Sequence, residues 1–519
     1  MDESELRSSN TLSNTGVVVG ISLALGLLFD YFFFEKIPGV AFPLYVILVV
    51  AGLFVIENVE KKKINKEVIW LLVPLLFFSA MVFVRASELL TFLNIVACLL
   101  LLLVIAQVTL GDRVKNFLMA DYIKIFFVPF KFIRPLFQTL SNLFSIRVVD
   151  KNQQVRSQVI KGIAMAIPAL LIFLLLFSSA DLVFQKYLEN IITIDIDPET
   201  VFRTIFVFVV TLVFIGAYSY TFRKTDNQEN QIASQQSNKG RGVGHIENSI
   251  VFGSVNLLFF VFILVQLTYL FGGEANITAE GYTYAEYARR GFFELIAVAI
   301  ISLLLLFTFE KFIAKKETGH ALGFKILGTA LVIQVILIMA SAYARLSLYE
   351  QAYGFTTQRL FSHAFIIFLA VIFCLLLYKI YLDKRENAFA LRTFISIALF
   401  LAAMNFINPD AFIARRNIEQ FAATGKLDIY YLSSLSEDAI AENIKILDIS
   451  NEEMKNNFAR ELYLRAQYID SIYFSKWQSL HMSRIKAQKF LEPKLEGLAA
   501  YKDYPRQDFD SVEPVNPVD

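Results

Sequence analysis

The sequence predicts an all-α, polytopic helical membrane protein with a small helical region at its C-terminus. Three observations carry that expectation. Apolar residues arrive in long runs; the composition is 56% hydrophobic and only 18% charged, with a mean hydropathy of +0.54; and Lys and Arg are shared unequally between alternate gaps. A soluble domain averages about 45–50% apolar and about 25% charged residues. A run of about 20 mainly apolar residues can cross the hydrocarbon core as a helix, which satisfies its own backbone there.

On that length criterion the chain offers about eleven transmembrane helices: 17–34, 39–56, 68–84, 89–108, 160–180, 201–222, 249–271, 291–310, 322–344, 360–381 and 389–407. Residues 1–16 are an N-terminal tail. It opens "MDESELRSSN", without the basic start and small-residue cleavage site of a signal peptide, so the first run reads as a retained anchor. The first two runs, joined by "EKIPG", form a helical hairpin. Within the transmembrane region 17–407, two segments differ from the rest. Residues 112–150 interleave Lys and Arg with Phe, and Pro129 and Pro135 forbid one continuous helix. That pattern suits short amphipathic helices in the headgroup layer, or a helical linker packed beneath the bundle. Residues 224–244, "KTDNQENQIASQQSNKGRGVG", are rich in Gln, Asn, Ser and Gly without apolar periodicity and read as a disordered loop. Residues 408–519 regain helical periodicity without span-length runs, and the turn-rich "YPRQDFDSVEPVNPVD" at the end has no core pattern. A small helical domain with a frayed terminus is expected.

Gaps after even-numbered runs, counted with the adjoining run ends, hold 25 Lys and Arg, against eight after odd-numbered runs. The positive-inside rule then places the N-terminus in the cytoplasm and, with an odd number of spans, residues 408–519 outside it.

Much chemistry is disfavoured. A net charge of +1 argues against a nucleic-acid partner. Cys98 and Cys374 both lie in apolar runs, which suits neither a disulfide framework nor a zinc site. The four histidines (His245, His320, His363 and His481) are far apart, none at the i, i+4 spacing of a helical metal pair, and each reads as an ordinary polar residue. No P-loop, dinucleotide fingerprint or nucleophile elbow is present, so no metal and no cofactor is expected. Ser and Asp are too frequent for a triad to be read from sequence.

What remains is charge at the outer boundary. In "YAEYARRGFFEL" (284–295), Glu286, Arg290 and Glu294 share one helical stripe with alternating signs, Arg289 stands beside them, and Gly291 admits a close neighbour. Glu294 lies about one turn inside its span, where an unpaired carboxylate is costly. Asp30 has the same depth in the first span. Arg345 ends the ninth span, Arg359 opens the tenth, and Asp410 follows the eleventh. These residues either only fix helix depth, as boundary arginines and ion pairs do, or line an outward polar vestibule. Arginine suits phosphate or carboxylate, so an anionic lipid or an envelope glycan precursor would be the partner.

"YAEYARRGFFEL" resembles the Tyr-x-Arg-x-Gly-Phe-Phe-Glu-Leu pattern of an uncharacterised bacterial membrane group, the domains of unknown function 4153 and 4173. "FDYFFFEKIPGVAFPLYVIL", "LYEQAYGFTTQRL", "NPDAFIARRNI", "LDIYYLSSLSEDAI" and "FSKWQSLHMSRIKAQKFL" are similar to it too, in one order along nearly the whole chain. The resemblance implies a bacterial cytoplasmic-membrane protein and no assigned activity. By pattern it points to Arg289 or Arg290, Gly291, Glu294, Tyr353, Gly354, Arg359, Asn408, Asp410 and Trp477. Three functions are expected to compete. The first is an envelope-associated binding or scaffolding protein. The second is a secondary transporter, disfavoured by the lack of an inverted repeat and of matched broken spans; polar residues such as Asn94, Asn256 and Gln334, not acids, occupy the midplanes. The third is a transferase acting on a lipid-linked substrate with Glu294 or Asp30 as base.

Overall fold

The computed structural model describes residues 12, 14–62, 65–143, 198–223, 245–271, 292–313, 320–382, 385–425, 427–469 and 476–505. All regular structure among them is helical. The long apolar helices are α1 (Thr15–Phe33), α2 (Ala41–Glu60), α3 (Lys66–Val84) and α4 (Glu88–Leu110). Two short helices follow, α5 (Met119–Ile125) and α6 (Ile133–Leu143). Then come α7 (Pro198–Phe222), α8 (His245–Phe271), α9 (Phe292–Ile313), α10 (His320–Tyr353), α11 (Thr357–Tyr381) and α12 (Glu386–Ile407). Eight of these are long and apolar enough to cross a membrane, and shorter apolar stretches, Ile250–Val265 and Leu295–Phe307, lie in α8 and α9. The protein is therefore a multi-pass integral membrane protein. The expected span at 160–180 and the loop at 224–244 lie outside the described residues.

The spans have apolar residues all round, so the sequence alone does not say which face meets protein and which meets lipid. The packing does. Helices α1–α4 bury one cluster that includes Leu25, Val46, Leu75 and Leu101, joined by Tyr218 of α7 and Met404 of α12. Helices α8–α11 bury a second that includes Phe252, Ala299, Val335 and Phe373. Polar side chains tie helices where water is absent: Asn94 and Asn405 exchange amide hydrogen bonds of 2.8 and 2.9 Å, and Gln334 donates to the Asn256 carbonyl at 3.1 Å. Such bonds between membrane helices contribute about 0.6–2 kcal/mol each.

Helix α10 differs from expectation. Arg345 does not end it; the helix runs on to Tyr353, two turns further. No Gly or Pro interrupts "LSLYEQAY", so nothing breaks it until Gly354, which has a positive φ of 77°. Between Asp112 and Leu143 the chain is broken into short helical pieces, with Ile123, Phe126, Phe127 and Phe130 exposed. Pro129 is the second residue of a 3-10 turn (Val128–Phe132) and Pro135 sits in the first turn of α6, where a missing N–H costs little.

Beyond Asn408, itself left-handed (φ 54°), lie α13 (Pro409–Thr424), α14 (Ile429–Ser434), α15 (Glu452–Tyr468) and α16 (Met482–Leu491) with several single turns. They surround a third cluster, centred on Ile413, Leu432, Phe458 and Leu491.

Candidate functional site

The C-terminal helices meet the chain at four connections that share one end of the bundle. At the α1–α2 connection, the Val40 N–H donates to the Leu480 carbonyl at 2.9 Å and the Ile37 N–H to Ser479 Oγ at 3.1 Å. A Cβ on Gly39 would lie 2.5 Å from that carbonyl oxygen, so the approach needs glycine. Trp477 packs against Tyr31 and Phe32. At the α10–α11 connection, Asn417 accepts from the Phe355 N–H at 2.6 Å and donates to its carbonyl at 2.8 Å. The Tyr431 hydroxyl accepts from the Thr357 N–H at 2.6 Å. The fourth connection is covalent, α12 running into α13.

The α3–α4 connection carries the most charge. Asp438 follows α14, and its side chain is 1% exposed. One carboxylate oxygen accepts from the Ala86 and Ser87 N–H groups at 2.8 and 3.1 Å, immediately before α4. The other accepts from Ser483 Oγ and lies 3.5 Å from an Arg85 nitrogen. A carboxylate at a helix N-terminus meets unpaired N–H groups and the positive end of the macrodipole. Arg85 also donates to the Asn405 carbonyl at 2.8 Å, and His481 Nδ1 lies 3.1 Å from the Arg85 carbonyl. Burial lowers His481 from its usual range to about 4, assisted by the Arg484 charge and opposed by the carbonyls of Arg85 and Pro38. Glu437, the residue before Asp438, faces Arg465 at 3.2 Å and Arg484 at 3.5 Å.

A cavity of about 720 Å³ opens beside this joint. Ser87 and Glu88 at the start of α4 and Thr357 at the start of α11 form one wall. Asp410, Tyr431, Ser434, Ser436, Glu437, Glu461, Arg465, Tyr468 and Arg484 form the other. Asp410 is buried and accepts from the N–H and hydroxyl of Ser436. Burial raises its pKa, the Ser436 hydrogen bonds oppose that, and the neighbouring Asp438 and Glu437 charges raise it further.

Of the residues singled out from sequence, Asp410 lines this cavity. Arg359 stands at the same end of the bundle, in the first turn of α11: it donates to the Tyr353 and Gly354 carbonyls and lies 4.0 Å over the Tyr349 ring. Asp30 makes a two-point pair with Arg203 of α7, at 2.6 and 3.1 Å, and the guanidinium lies over Phe34. Arg345 is half-buried in the body of α10. Glu286, Arg289 and Arg290 lie outside the described residues. Glu294 is in the first turn of α9, and its side chain is likewise outside the description. The reading from sequence missed Asp438, Glu437, Arg465, Ser483 and Arg484. Their signal was faint: Arg85 is a lone cation between two apolar runs, and "LSSLSEDAI" and "QSLHMSRIK" are polar stretches of no recognised motif.

A family model described as a domain of unknown function (DUF4153) matches residues 72–446, about three-quarters of the chain. The chain belongs to the DUF4153 family. The matched stretch holds Arg85, Asp410, Glu437 and Asp438; the α1–α2 connection and residues 477–484 lie outside it. No curated protein and no solved structure matches the chain.

Proposed function

We propose that this DUF4153 protein is an envelope-associated binding protein of the bacterial cytoplasmic membrane, with eleven spans and a cytoplasmic N-terminus. Its C-terminal helices form an extracytoplasmic domain over the bundle, and the cavity between the two holds a ligand. The cavity carries the reading. It joins span ends to C-terminal helices and is lined by hydroxyls, carboxylates, two arginines and two tyrosines, with Ala86, Leu89, Leu435 and Leu464 among them. Its volume falls within the range of small-molecule sites. Both arginines already face Glu437, so the lining favours a hydroxyl-rich group over a bare phosphate. A lipid-linked glycan precursor fits this better than a simple anionic lipid. Residues 112–143 lie on the cytoplasmic membrane surface.

Two experiments test the proposal. Alkaline phosphatase fused after Asp519 is active if the C-terminal helices are extracytoplasmic; an inactive fusion overturns the orientation. Native mass spectrometry of the full chain, released from membranes, shows a bound glycolipid mass that Ser434→Trp removes without changing the melting temperature. Phospholipid alone in the wild-type spectrum overturns the glycan assignment.

A further inference from the structure

A second polar constellation lies inside the bundle, on α10 and α11. Glu350 is 4% exposed and His363 8% exposed. His363 Nδ1 lies 3.1 Å from a Glu350 carboxylate oxygen. His363 Nε2, on the other side of the ring, lies 3.3 Å from Ser347 Oγ. Ser347 and Glu350 are three residues apart on α10 and so share its face towards α11. The Tyr343 ring, with its centroid 4.3 Å from that of His363, holds the imidazole from one side.

The atoms connect in one order: hydroxyl, Nε2, Nδ1, carboxylate. In the tautomer that donates the Nδ1–H to the Glu350 carboxylate, Nε2 is left as an acceptor. The Tyr343 carbonyl is an acceptor too, 3.0 Å from Ser347 Oγ and 3.3 Å from Nε2. Ser347 is then the shared donor between them. A hydroxyl next to a base that a third group orients is the arrangement of an activated nucleophile, recognised by geometry and not by position in the chain. Its depth suits one substrate. The apolar run of α10, 322–344, is long enough to span the hydrocarbon core and ends just before Arg345. Ser347 lies three residues beyond that end, a rise of about 4.5 Å, which by length alone falls in the interfacial layer that holds lipid ester carbonyls. It is half-buried, and Tyr343 one turn away is 41% exposed.

We propose that Ser347, His363 and Glu350 form a serine hydrolase relay that cleaves an acyl ester of a membrane glycerolipid. Ser347 Oγ adds to the acyl carbonyl carbon while its proton passes to His363 Nε2. The carbon–oxygen bond to glycerol breaks, and the glycerol oxygen takes that proton. Water then attacks the acyl-serine, giving a proton to Nε2; the acyl–Ser347 bond breaks, the proton returns to Oγ and the fatty acid leaves. Ser347 and His363 are catalytic residues; Glu350 is a positioning residue. This assignment is independent of the cavity beside Asp438.

The test uses the full chain in lipid nanodiscs with a fluorophosphonate probe, followed by peptide mass spectrometry. The expected adduct maps to Ser347. Its rate of formation falls about 100-fold or more in His363→Gln, the usual scale of a lost general base. The rate also falls in Glu350→Gln and partly recovers in Glu350→Asp, which a packing role alone would not produce. Vesicles of acyl-labelled phosphatidylglycerol release fatty acid with wild-type protein and not with Ser347→Ala, a change too small to unfold the bundle. Absence of an adduct on Ser347, or equal labelling of wild type and His363→Gln, overturns the relay. An adduct without fatty-acid release overturns the lipid-ester assignment.

Discussion

At the end of the bundle that carries the C-terminal helices, Asp438 is withdrawn from water and takes two backbone N–H groups, a hydroxyl and a guanidinium from sequence-distant segments. At the opposite end, Phe126, Phe127 and Phe130 are 59–70% exposed. Among the described residues, polar bonds there include Glu67 accepting from the Val114 N–H at 2.9 Å, Asn387 donating to the Lys115 carbonyl at 2.7 Å, and Lys62 lying 3.3 Å from the Thr221 and Arg223 carbonyls at the end of α7. One end is closed by protein on protein through directional bonds; the other leaves apolar rings exposed. The lesson is about specificity. Directional bonds fix a register between segments far apart in sequence. Apolar rings fix only a depth.

The comparison breaks most visibly at Asp438. In Asp438→Ala the Ala86 and Ser87 N–H groups lose their acceptor and the part-buried Arg85 loses its countercharge. Removing one partner of a buried ion pair costs about 3–5 kcal/mol, so the melting temperature of the purified protein should fall sharply, and protease should clip the C-terminal helices first. An unchanged melting curve would show that the joint is not a fixed register.

Next in size is the acid response of the same joint. His481 is held near 4 in the fold against 6.5 as a free side chain. Between those values the unfolded chain binds the proton and the fold does not, so this residue's contribution to stability is intact above about pH 6.5 and is lost as pH falls towards 4, by up to about 3 kcal/mol. Asp410, raised by burial, works in the opposite sense. The measurement is therefore the difference between wild type and His481→Gln at each pH. That difference should change across this window, and a constant one would mean that His481 is not held neutral.

The smallest effect belongs to the other end. Phe127→Ser should change stability in detergent by less than about 0.5 kcal/mol, as exposed substitutions do. Phe127→Trp, in contrast, should be quenched by brominated lipid chains. Strong loss of stability, without quenching, would make this segment a packed linker and remove the contrast between the two ends.

Much of this was legible in one dimension. The apolar runs of α1–α4, α7 and α10–α12 declare themselves by length, because the bilayer core has a fixed thickness and satisfies no backbone. Pro129 and Pro135 broke the segment after α4 for a reason equally local. Asp410 was visible as an acid just past a span. The helix that overran, α10, did so because hydropathy reports where a helix leaves lipid, and only a residue such as Gly354 reports where it stops. Pairing was beyond reach. Asp30 meets Arg203 across 173 positions, Asp438 meets Ala86 across 352, and Ser347 and His363 meet only because α10 and α11 turn back on each other. The chain's own pattern determined which segments enter the membrane, since burial in lipid depends on each segment's composition. The tertiary structure decided which charges and hydroxyls meet, since a hydrogen bond or ion pair depends on two atoms coming within about 3 Å, and no local property of either residue encodes the other.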